Sequence, residues 1–270
     1  MSDNQEVTRW ALLIGVDLYR AKTGERWEKK TLSSAVNDVE ALSSYLRRWL
    51  SPVCITTLTA SAASDPKNNR PTESDETSWP TKENIDKAFD DIAKKAKRDH
   101  HVYIHFSGHG TRVQQALALV LYKHTYPYSD YYMGHTFRDW LLALEEKGLI
   151  ITVTLDCCES GSVQRSGISG SNPGVRFIDY DSQVAAASFA ATPPSPPLRN
   201  NLRGATVSSR EWRVNPTSYN IFTACEEDEI ADEIPWNGVK RGAFSLILGM
   251  VLDYGAKSAT TTGLVGARSR

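Results

Sequence analysis

The stretch LIITVTLDCCESGS, residues Leu149 to Ser162, decides the fold. It begins as a continuous apolar run rich in β-branched residues and breaks at Asp156-Cys157-Cys158 into a Glu-Ser-Gly-Ser turn. Runs of this kind are typical of buried strands in parallel sheets that helices cover on both faces. Active sites in such sheets lie at the carboxyl ends of the strands. The sequence therefore predicts a core strand that ends on a thiol.

A second stretch, HVYIHF from His101 to Phe106, follows the same pattern and leads through Ser-Gly to His109. If the two strands are neighbours, a thiol and an imidazole meet at one edge of the sheet, which is the minimum apparatus of a cysteine hydrolase. The oxyanion of such a reaction needs backbone N–H donors. We expect the amides of Gly110 and Cys158 to supply them.

The histidines at 101, 105 and 109 recur at intervals of four, which on a helix would indicate a metal site. The β-branched and aromatic composition and the Ser-Gly break before His109 predict a strand instead, so His105 and His109 belong to different local geometries. We therefore expect no metal site, with His109 alone reaching the edge of the sheet.

Four blocks of the chain resemble the caspase-like peptidases, most closely the metacaspases and related fungal caspase domains. The blocks are ALLIGVDLY (Ala11 to Tyr19), LSSAVNDVEAL (Leu32 to Leu42), YIHFSGHGT (Tyr103 to Thr111) and TLDCCESGSV (Thr154 to Val163), with FTACEEDEIADE (Phe222 to Glu233) as a weaker fifth. The resemblance implies a three-layer α/β fold, with a mostly parallel central sheet flanked by helices. It also implies a cysteine endopeptidase, in programmed cell death or stress signalling, with His109 as base and Cys158 as nucleophile.

An acidic substrate pocket follows from three further residues. In metacaspases the aspartate of the NDV block lines the pocket for a basic side chain, and here it is Asp38; the alternative is a first-turn acid that complements the helix dipole. Asp156 and Ser107 each lie two residues before a catalytic candidate, so on extended backbone they share its side. Together the three would bind the cation of Arg or Lys at the cleaved position, although Asp156 as a cap of a nearby turn stays open.

The chain departs from the family pattern at several points. Glu159 stands where histidine is common, and its like charge would raise the pKa of the neighbouring thiol. Ala35 stands where a cysteine is frequent. Only Asp130 and Asp139 remain where many metacaspases carry calcium ligands, and a Ca²⁺ site needs 6–8 oxygens. We therefore expect no cofactor and little response to calcium.

Composition excludes several partner classes. The chain has 31 basic and 32 acidic residues among 270, so no excess charge recruits nucleic acid or a membrane surface. No apolar stretch approaches the ~20 residues of a membrane span. The four cysteines show no metal-binding spacing, and reduced thiols fit the cytosol or nucleus. We expect a cytoplasmic or nuclear protein that acts on proteins or peptides.

One peptidase domain is predicted over residues 1–254, with a large portion at about 1–163, a mobile linker at about 164–216 and a small portion at about 217–254. A disordered tail is predicted for residues 255–270, where the family usually continues into another strand. The linker is the expected place of self-processing, with Arg199, Arg203 and Arg210 as candidate cleavage sites.

Three functions are compatible with these patterns. The leading hypothesis is a cysteine endopeptidase that cleaves after Arg or Lys with the Cys158–His109 dyad. The second is a weak or inactive caspase-like module that signals by binding a partner, suggested by Glu159 and the short C-terminal part. The third is a non-proteolytic α/β hydrolase that uses the same dyad.

Overall fold

The computed structural model describes residues 6–19, 30–65, 68–113, 116–158, 174–190, 219–225 and 230–267. Its strands are β1 Arg9–Val16, β2 Cys54–Ala60, β3 His101–Ser107, β4 Gly110–Val113, β5 Ala116–Tyr122, β6 Ser129–Met133, β7 Ile150–Asp156, β8 Tyr219–Thr223, β9 Glu233–Trp236 and β10 Val239–Gly242. Its α-helices are α1 Ala35–Trp49, α2 Lys82–Lys95, α3 Gly134–Glu146, α4 Ser182–Ala190 and α5 Ala243–Ala267.

Five parallel strands form the central sheet in the order β2-β1-β3-β7-β8. The two strands that the sequence analysis singled out, β3 and β7, are direct neighbours. Their register pairs Ser107 with Asp156, the last residue of each strand. The segments that follow these two residues therefore leave the sheet side by side, and they carry His109 and Cys158.

Helices cover both faces of the sheet, as the alternation along β1 illustrates. Leu12 and Ile14 belong to the main core, which α2 and α3 complete from one side. Ala11 and Leu13 point the other way and pack with the apolar side of α1, against which Leu252 of α5 also lies. All four β1 residues are buried, which explains a strand without polar alternation. The predicted three-layer α/β fold is confirmed.

Helix α1 is capped from a distance. Its N-cap residue, Ser34, makes no side-chain capping bond. The carboxylate of Asp17, just beyond β1, instead accepts the N–H of Ala35 at 2.9 Å and that of Val36 at 3.4 Å. Two of the orphan donors of the first turn are thereby satisfied. This contact ties the start of α1 to the edge of the sheet where the site lies.

Two smaller sheets were not predicted in full. Strands β4, β5 and β6 form an antiparallel sheet that starts at Gly110, and β9 and β10 form a hairpin that leads into α5. The apolar run LALVLY, residues 117–122, forms most of β5, the central strand of the first sheet. The first sheet begins at Gly110 and the hairpin ends at Gly242, so both small sheets position residues that line the site.

Two parts of the chain differ from the expected domain plan. Helix α5 continues to Ala267, whereas a disordered tail was expected from residue 255. Within the predicted linker, residues 174–178 are mostly buried and α4 packs on β6 through Val184, Ala185 and Ser188. Arg199, Arg203 and Arg210 lie outside the described residues, as does Glu159. In the described part, no helix is long and apolar enough to cross a membrane.

Candidate active site

The ends of β3 and β7 form the floor of the site. Beyond the Ser107–Asp156 pair, the N–H of Gly108 donates to the carbonyl of Asp156 at 3.2 Å. The two loops therefore stay in contact after the strands end. His109 and Cys158 follow within two residues, and both are buried. The sequence pattern correctly placed both residues at one sheet edge.

The imidazole of His109 is oriented by two contacts. Its Nε2 lies 2.6 Å from the carbonyl oxygen of Lys30, and because a carbonyl only accepts, Nε2 carries the proton of the neutral ring. Its other nitrogen, Nδ1, is buried and has no partner among the described residues. Tyr19 packs edge-on against the ring, with the ring centroids 4.4 Å apart, and the Tyr19 hydroxyl accepts the backbone N–H of His109 at 2.8 Å. The free lone pair on Nδ1 is the one a general base requires.

Burial lowers the pKa of His109 to about 3, since an imidazolium would lose its hydration there. The ring is therefore neutral at physiological pH in this arrangement. His105, four residues earlier and also buried, has its pKa lowered to about 4 by burial. His105 Nδ1 lies 2.8 Å from the hydroxyl oxygen of Thr154, so His105 has a structural role inside the sheet.

The two adjacent cysteines face different surroundings, as strand alternation predicts. Cys157 packs in the main core, whereas Cys158 packs in a small cluster with Val175, Phe177 and Ala231. The Cys158 thiol donates to the Ala231 carbonyl at 3.3 Å and accepts the Ala231 N–H at 3.0 Å. Contact with the Cys225 thiol, and then burial, raise the pKa of Cys158 well above its usual range. The nucleophile candidate is a neutral thiol in this arrangement.

The two candidate oxyanion donors converge on one atom. The N–H of Gly110 and the N–H of Cys158 both donate to the carbonyl oxygen of Arg176, at 3.1 Å and 3.0 Å. Only glycine fits at 110, because a Cβ there would overlap the carbonyl of Cys158. The pair therefore forms a two-donor cradle for a carbonyl oxygen.

The three pocket residues also converge, and they surround the guanidinium of Arg176. Its Nη2 lies 2.8 Å from Asp38 Oδ2, and its Nη1 donates to the Ser107 hydroxyl at 2.7 Å. Its Nη1 also lies 3.0 Å from Asp156 Oδ1, an ion pair without hydrogen-bond alignment. The side chains of Arg176, Asp38 and Asp156 have no solvent exposure. Asp38 and Asp156 therefore both contact a cation in a desolvated pocket.

Further groups complete the pocket, and none of them was predicted from the sequence. The hydroxyl of Ser34 accepts from Arg176 Nη2 at 2.5 Å, and Arg241 Nε donates to Asp38 Oδ1 at 2.7 Å. Ser245 donates its N–H at 3.0 Å, and its hydroxyl, to Asp156 Oδ2. Gly242 donates its N–H to Asp38, and a Cβ at this position would overlap Asp156 and Arg176.

No metal site accompanies this arrangement in the part of the chain that the structure describes, which holds no cluster of three His, Cys, Asp or Glu side chains suited to a metal ion. Asp130 contacts Lys123 and the N–H of Tyr131, and Asp139 contacts Arg138. Calcium independence stays a prediction.

The match to a family model identifies the class of protein. The model described as the caspase domain, peptidase family C14, matches residues 8–265, which is nearly the whole chain. The chain therefore belongs to the caspase-domain family of cysteine peptidases. The resemblance inferred from the sequence motifs is confirmed at the level of the family.

Comparison with solved structures supports the fold. The chain is similar to the crystal structure of protein GSU0716 from Geobacter sulfurreducens, with 17% sequence identity and a TM-score of 0.56. The alignment covers 92% of this chain and 83% of that chain. At this identity the likeness shows a shared fold alone. A search of the curated proteins found no match.

Proposed function

We propose that this chain is a metacaspase-type cysteine endopeptidase that cleaves peptide bonds after Arg or Lys, with Cys158 as nucleophile and His109 as base. One observation carries the specificity: the pocket beside the candidate nucleophile holds an arginine side chain between Asp38 and Asp156. The bidentate donor pattern of a guanidinium matches two carboxylates and a hydroxyl.

The charge of the pocket favours a basic substrate over an acidic one. Asp38 and Asp156 bring two negative charges, and Arg241, bound to Asp38, brings one positive charge. Without Arg176 the pocket holds one uncompensated negative charge. A substrate cation would restore neutrality, whereas an aspartate would add a second unpaired charge in a desolvated site.

The chemistry follows from the groups at the strand ends. His109 Nδ1 takes the proton of the Cys158 thiol, and the thiolate attacks the substrate carbonyl. The N–H groups of Gly110 and Cys158 stabilise the oxyanion, because they already point at one carbonyl oxygen. The hydrogen bond from Nε2 to Lys30 keeps the ring in the tautomer that leaves Nδ1 free. The imidazolium then protonates the leaving amine, and water hydrolyses the thioester, which releases the carboxylate product and restores the thiol.

A second candidate function has one observation in its favour. Arg176 occupies both the pocket and the cradle, so a peptide that used the same places would have to displace it. A chain that never releases Arg176 would be an inactive module that binds partners elsewhere. Catalysis of peptide hydrolysis distinguishes the two functions.

The test is hydrolysis of matched fluorogenic peptides with Arg, Lys or Asp at the cleaved position, followed over long incubation. We expect Arg and Lys peptides to be cleaved and Asp peptides to be left intact. Asp156→Asn keeps the shape of the pocket and removes one charge, so kcat/KM for Arg peptides should fall by about 30-fold or more, equivalent to a loss of at least about 2 kcal/mol.

Labelling of Cys158 by a small uncharged alkylator should change much less in the same variant. Hydrolysis of Asp peptides by the wild type, or full turnover of Arg peptides by Asp156→Asn, would contradict the proposal. The rates should also be equal in chelator and in millimolar Ca²⁺, and strong activation by calcium would contradict that part.

A further inference from the structure

Lys30 contributes two different groups to the site. Its carbonyl oxygen accepts the hydrogen bond from His109 Nε2 that orients the imidazole. Its ammonium points elsewhere, since Nζ donates to the carbonyl oxygen of Phe177 at 3.3 Å. The lysine is buried, and a lysine is rarely buried without a specific partner for its charge. The proposed mechanism uses the Lys30 carbonyl and gives the ammonium no part.

The position of Phe177 indicates what the ammonium would contact in a bound peptide. Phe177 directly follows Arg176, whose side chain fills the acidic pocket. The carbonyl oxygen of Arg176 lies in the cradle of the Gly110 and Cys158 N–H groups. Arg176 therefore occupies the place that the proposed function assigns to the residue before the cleaved bond. By the same alignment, Phe177 occupies the place of the residue after that bond, and its carbonyl corresponds to one in the leaving group.

The backbone around Phe177 is extended and paired, as in a peptide that binds along a sheet edge. On the acyl side, the N–H of Arg176 donates to the Ala231 carbonyl at 3.0 Å. On the leaving-group side, the N–H of Ile178 donates to the Gly110 carbonyl at 3.2 Å. Main-chain groups are thus bound on both sides of the Arg176–Phe177 bond. A substrate in this alignment would be recognised across the cleaved bond as well as through its basic side chain.

Two acidic groups near the buried ammonium support its charge. Burial lowers the pKa of Lys30, whereas the negative charge of Asp179 raises it, as would a thiolate at Cys158. A hydrogen bond from a charged donor is roughly twice as strong as one between neutral groups. The Lys30 contact can therefore contribute more to binding than an ordinary bond between two backbone groups.

We propose that Lys30 determines specificity on the leaving-group side, where its ammonium binds the main-chain carbonyl of the residue after the cleaved bond. The inference rests on the proposed function and deepens it. It defines the substrate class as peptides that continue past the basic residue, in preference to amides of Arg or Lys with a simple amine. The ammonium acts by binding alone, so no covalent step is added.

The same contact has a second effect in the unliganded site. The Phe177 carbonyl now accepts the hydrogen bond from Lys30, so loss of the ammonium would also loosen residues 174–178. Any peptide that displaces Arg176 would then enter more readily. This effect is the same for all substrates with one acyl part, so it cancels when two leaving groups are compared.

The experiment compares two substrates that share one acyl part and differ in the leaving group. One peptide ends in Arg-Phe-amide. The other ends in Arg-phenethylamide, which keeps the phenylethylamine skeleton and lacks the carboxamide that Lys30 would bind. Both substrates form the same acyl-enzyme, so a difference in kcat/KM arises at or before loss of the amine. Hydrolysis by the full chain is followed by chromatography.

In Lys30→Met, kcat/KM should fall by about 10-fold or more for the Phe-amide substrate and by less than about 2-fold for the phenethylamide substrate. Each rate is divided by that of the wild type on the same substrate, so the different basicity of the two amines cancels. Lys30→Gln, with a shorter uncharged side chain, should show the same selective loss and decides the question if Lys30→Met fails to fold. Lys95→Met, at an exposed lysine of α2, is the matched control and should leave both rates unchanged.

A change of equal size on both substrates would overturn this inference, because it would show that Lys30 acts through the orientation of His109 or through residues 174–178. Unchanged hydrolysis of both substrates by Lys30→Met would overturn it as well. Either outcome leaves the proposed function standing, since the wild type still cleaves after Arg. Failure of the wild type to hydrolyse either substrate would overturn both proposals.

Discussion

His109 and Cys158 each depend on one neighbouring carbonyl. The Lys30 carbonyl accepts a hydrogen bond from Nε2 of the imidazole, and the Ala231 carbonyl accepts one from the Cys158 thiol. Because the Ala231 carbonyl also accepts the backbone N–H of Arg176, the thiol and the Arg176 backbone share one acceptor. Displacement of Arg176 would therefore change the surroundings of the thiol at the same moment as it empties the pocket.

The dyad makes a prediction at this scale. His109→Ala and Cys158→Ala should each lower kcat/KM for Arg peptides by about three orders of magnitude or more, and the double variant should lose no more than the single ones. In the proposed mechanism the two side chains act as one unit, so their losses do not add. Cys157→Ala is the matched control, because that thiol packs in the main core and should leave the rate nearly unchanged.

A basic chloromethyl ketone gives an independent measurement for the same prediction. It should label the wild type and Cys157→Ala, and it should fail to label Cys158→Ala. Labelling that persists in Cys158→Ala would mean that the nucleophile was assigned to the wrong cysteine.

The site residues differ in how far the sequence could predict them. Asp156 and Ser107 could be inferred because each ends an apolar strand, and the period of two fixes their side. Asp38 needed the family resemblance, since a helix-dipole role explains a first-turn acid equally well. Arg176 was missed because its short apolar run, Val175 to Ile178, lies in a polar stretch with Gly and Pro, where a linker was the simpler interpretation.

At the scale of elements, the contact between β1 and α1 depends on pH. Burial raises the pKa of Asp17 to about 7, although its oxygens accept two helix N–H groups. Between about pH 4 and 7 the folded chain therefore holds a proton that the unfolded chain has released. The contribution of Asp17 to stability is complete at low pH and is lost as the pH rises through 7.

Asp17→Asn tests this contribution. The variant cannot ionise, so the difference in unfolding free energy between it and the wild type should change across pH 4 to 7.5 by up to about 4 kcal/mol, in favour of the variant at the upper end. His105 and His109 have lowered pKa values, so they make the unfolding free energy rise with pH. Both histidines are present in the variant and in the wild type, so their contribution cancels in the difference between the two. This difference is measured by denaturant unfolding, with both chains carrying Cys158→Ala. A difference in unfolding free energy that stays constant with pH would contradict the expectation.

Elements with a buried apolar pattern were the predictable ones. Strands β3 and β7 were predicted within a residue or two, because each buries a continuous side. The hairpin of β9 and β10 was missed, since most of its side chains are partly or fully exposed and its pairing comes from the fold around it. A disordered tail was expected from residue 255 because the Gly, Thr and Ser residues after Tyr254 lower helix propensity.

For the whole molecule, Arg176 is a junction. Its guanidinium contacts Asp38 on α1, Ser107 on β3 and Asp156 on β7. The same two carboxylates bind the N–H groups of Gly242 and Ser245, at the start of α5. Two helices and two strands therefore meet at one buried charge, the guanidinium of Arg176. The overall assembly of these parts could not be derived from sequence periodicity, which carries no information on long-range charge pairing.

The last prediction concerns stability and is measured in the uncut Cys158→Ala chain. Arg176→Met removes the cation and leaves Asp38 and Asp156 facing each other with Arg241 alone, so the unfolding free energy should fall by about 3–5 kcal/mol. Asp156→Asn, added to Arg176→Met, removes one of the unpaired buried charges and should recover part of the lost unfolding free energy. The effects of the two substitutions should therefore be non-additive by about 1 kcal/mol or more. Arg98→Met is the control and should cost little, because that side chain is exposed. Additive losses in the double variant would show that Arg176 does not stabilise the domain through Asp156.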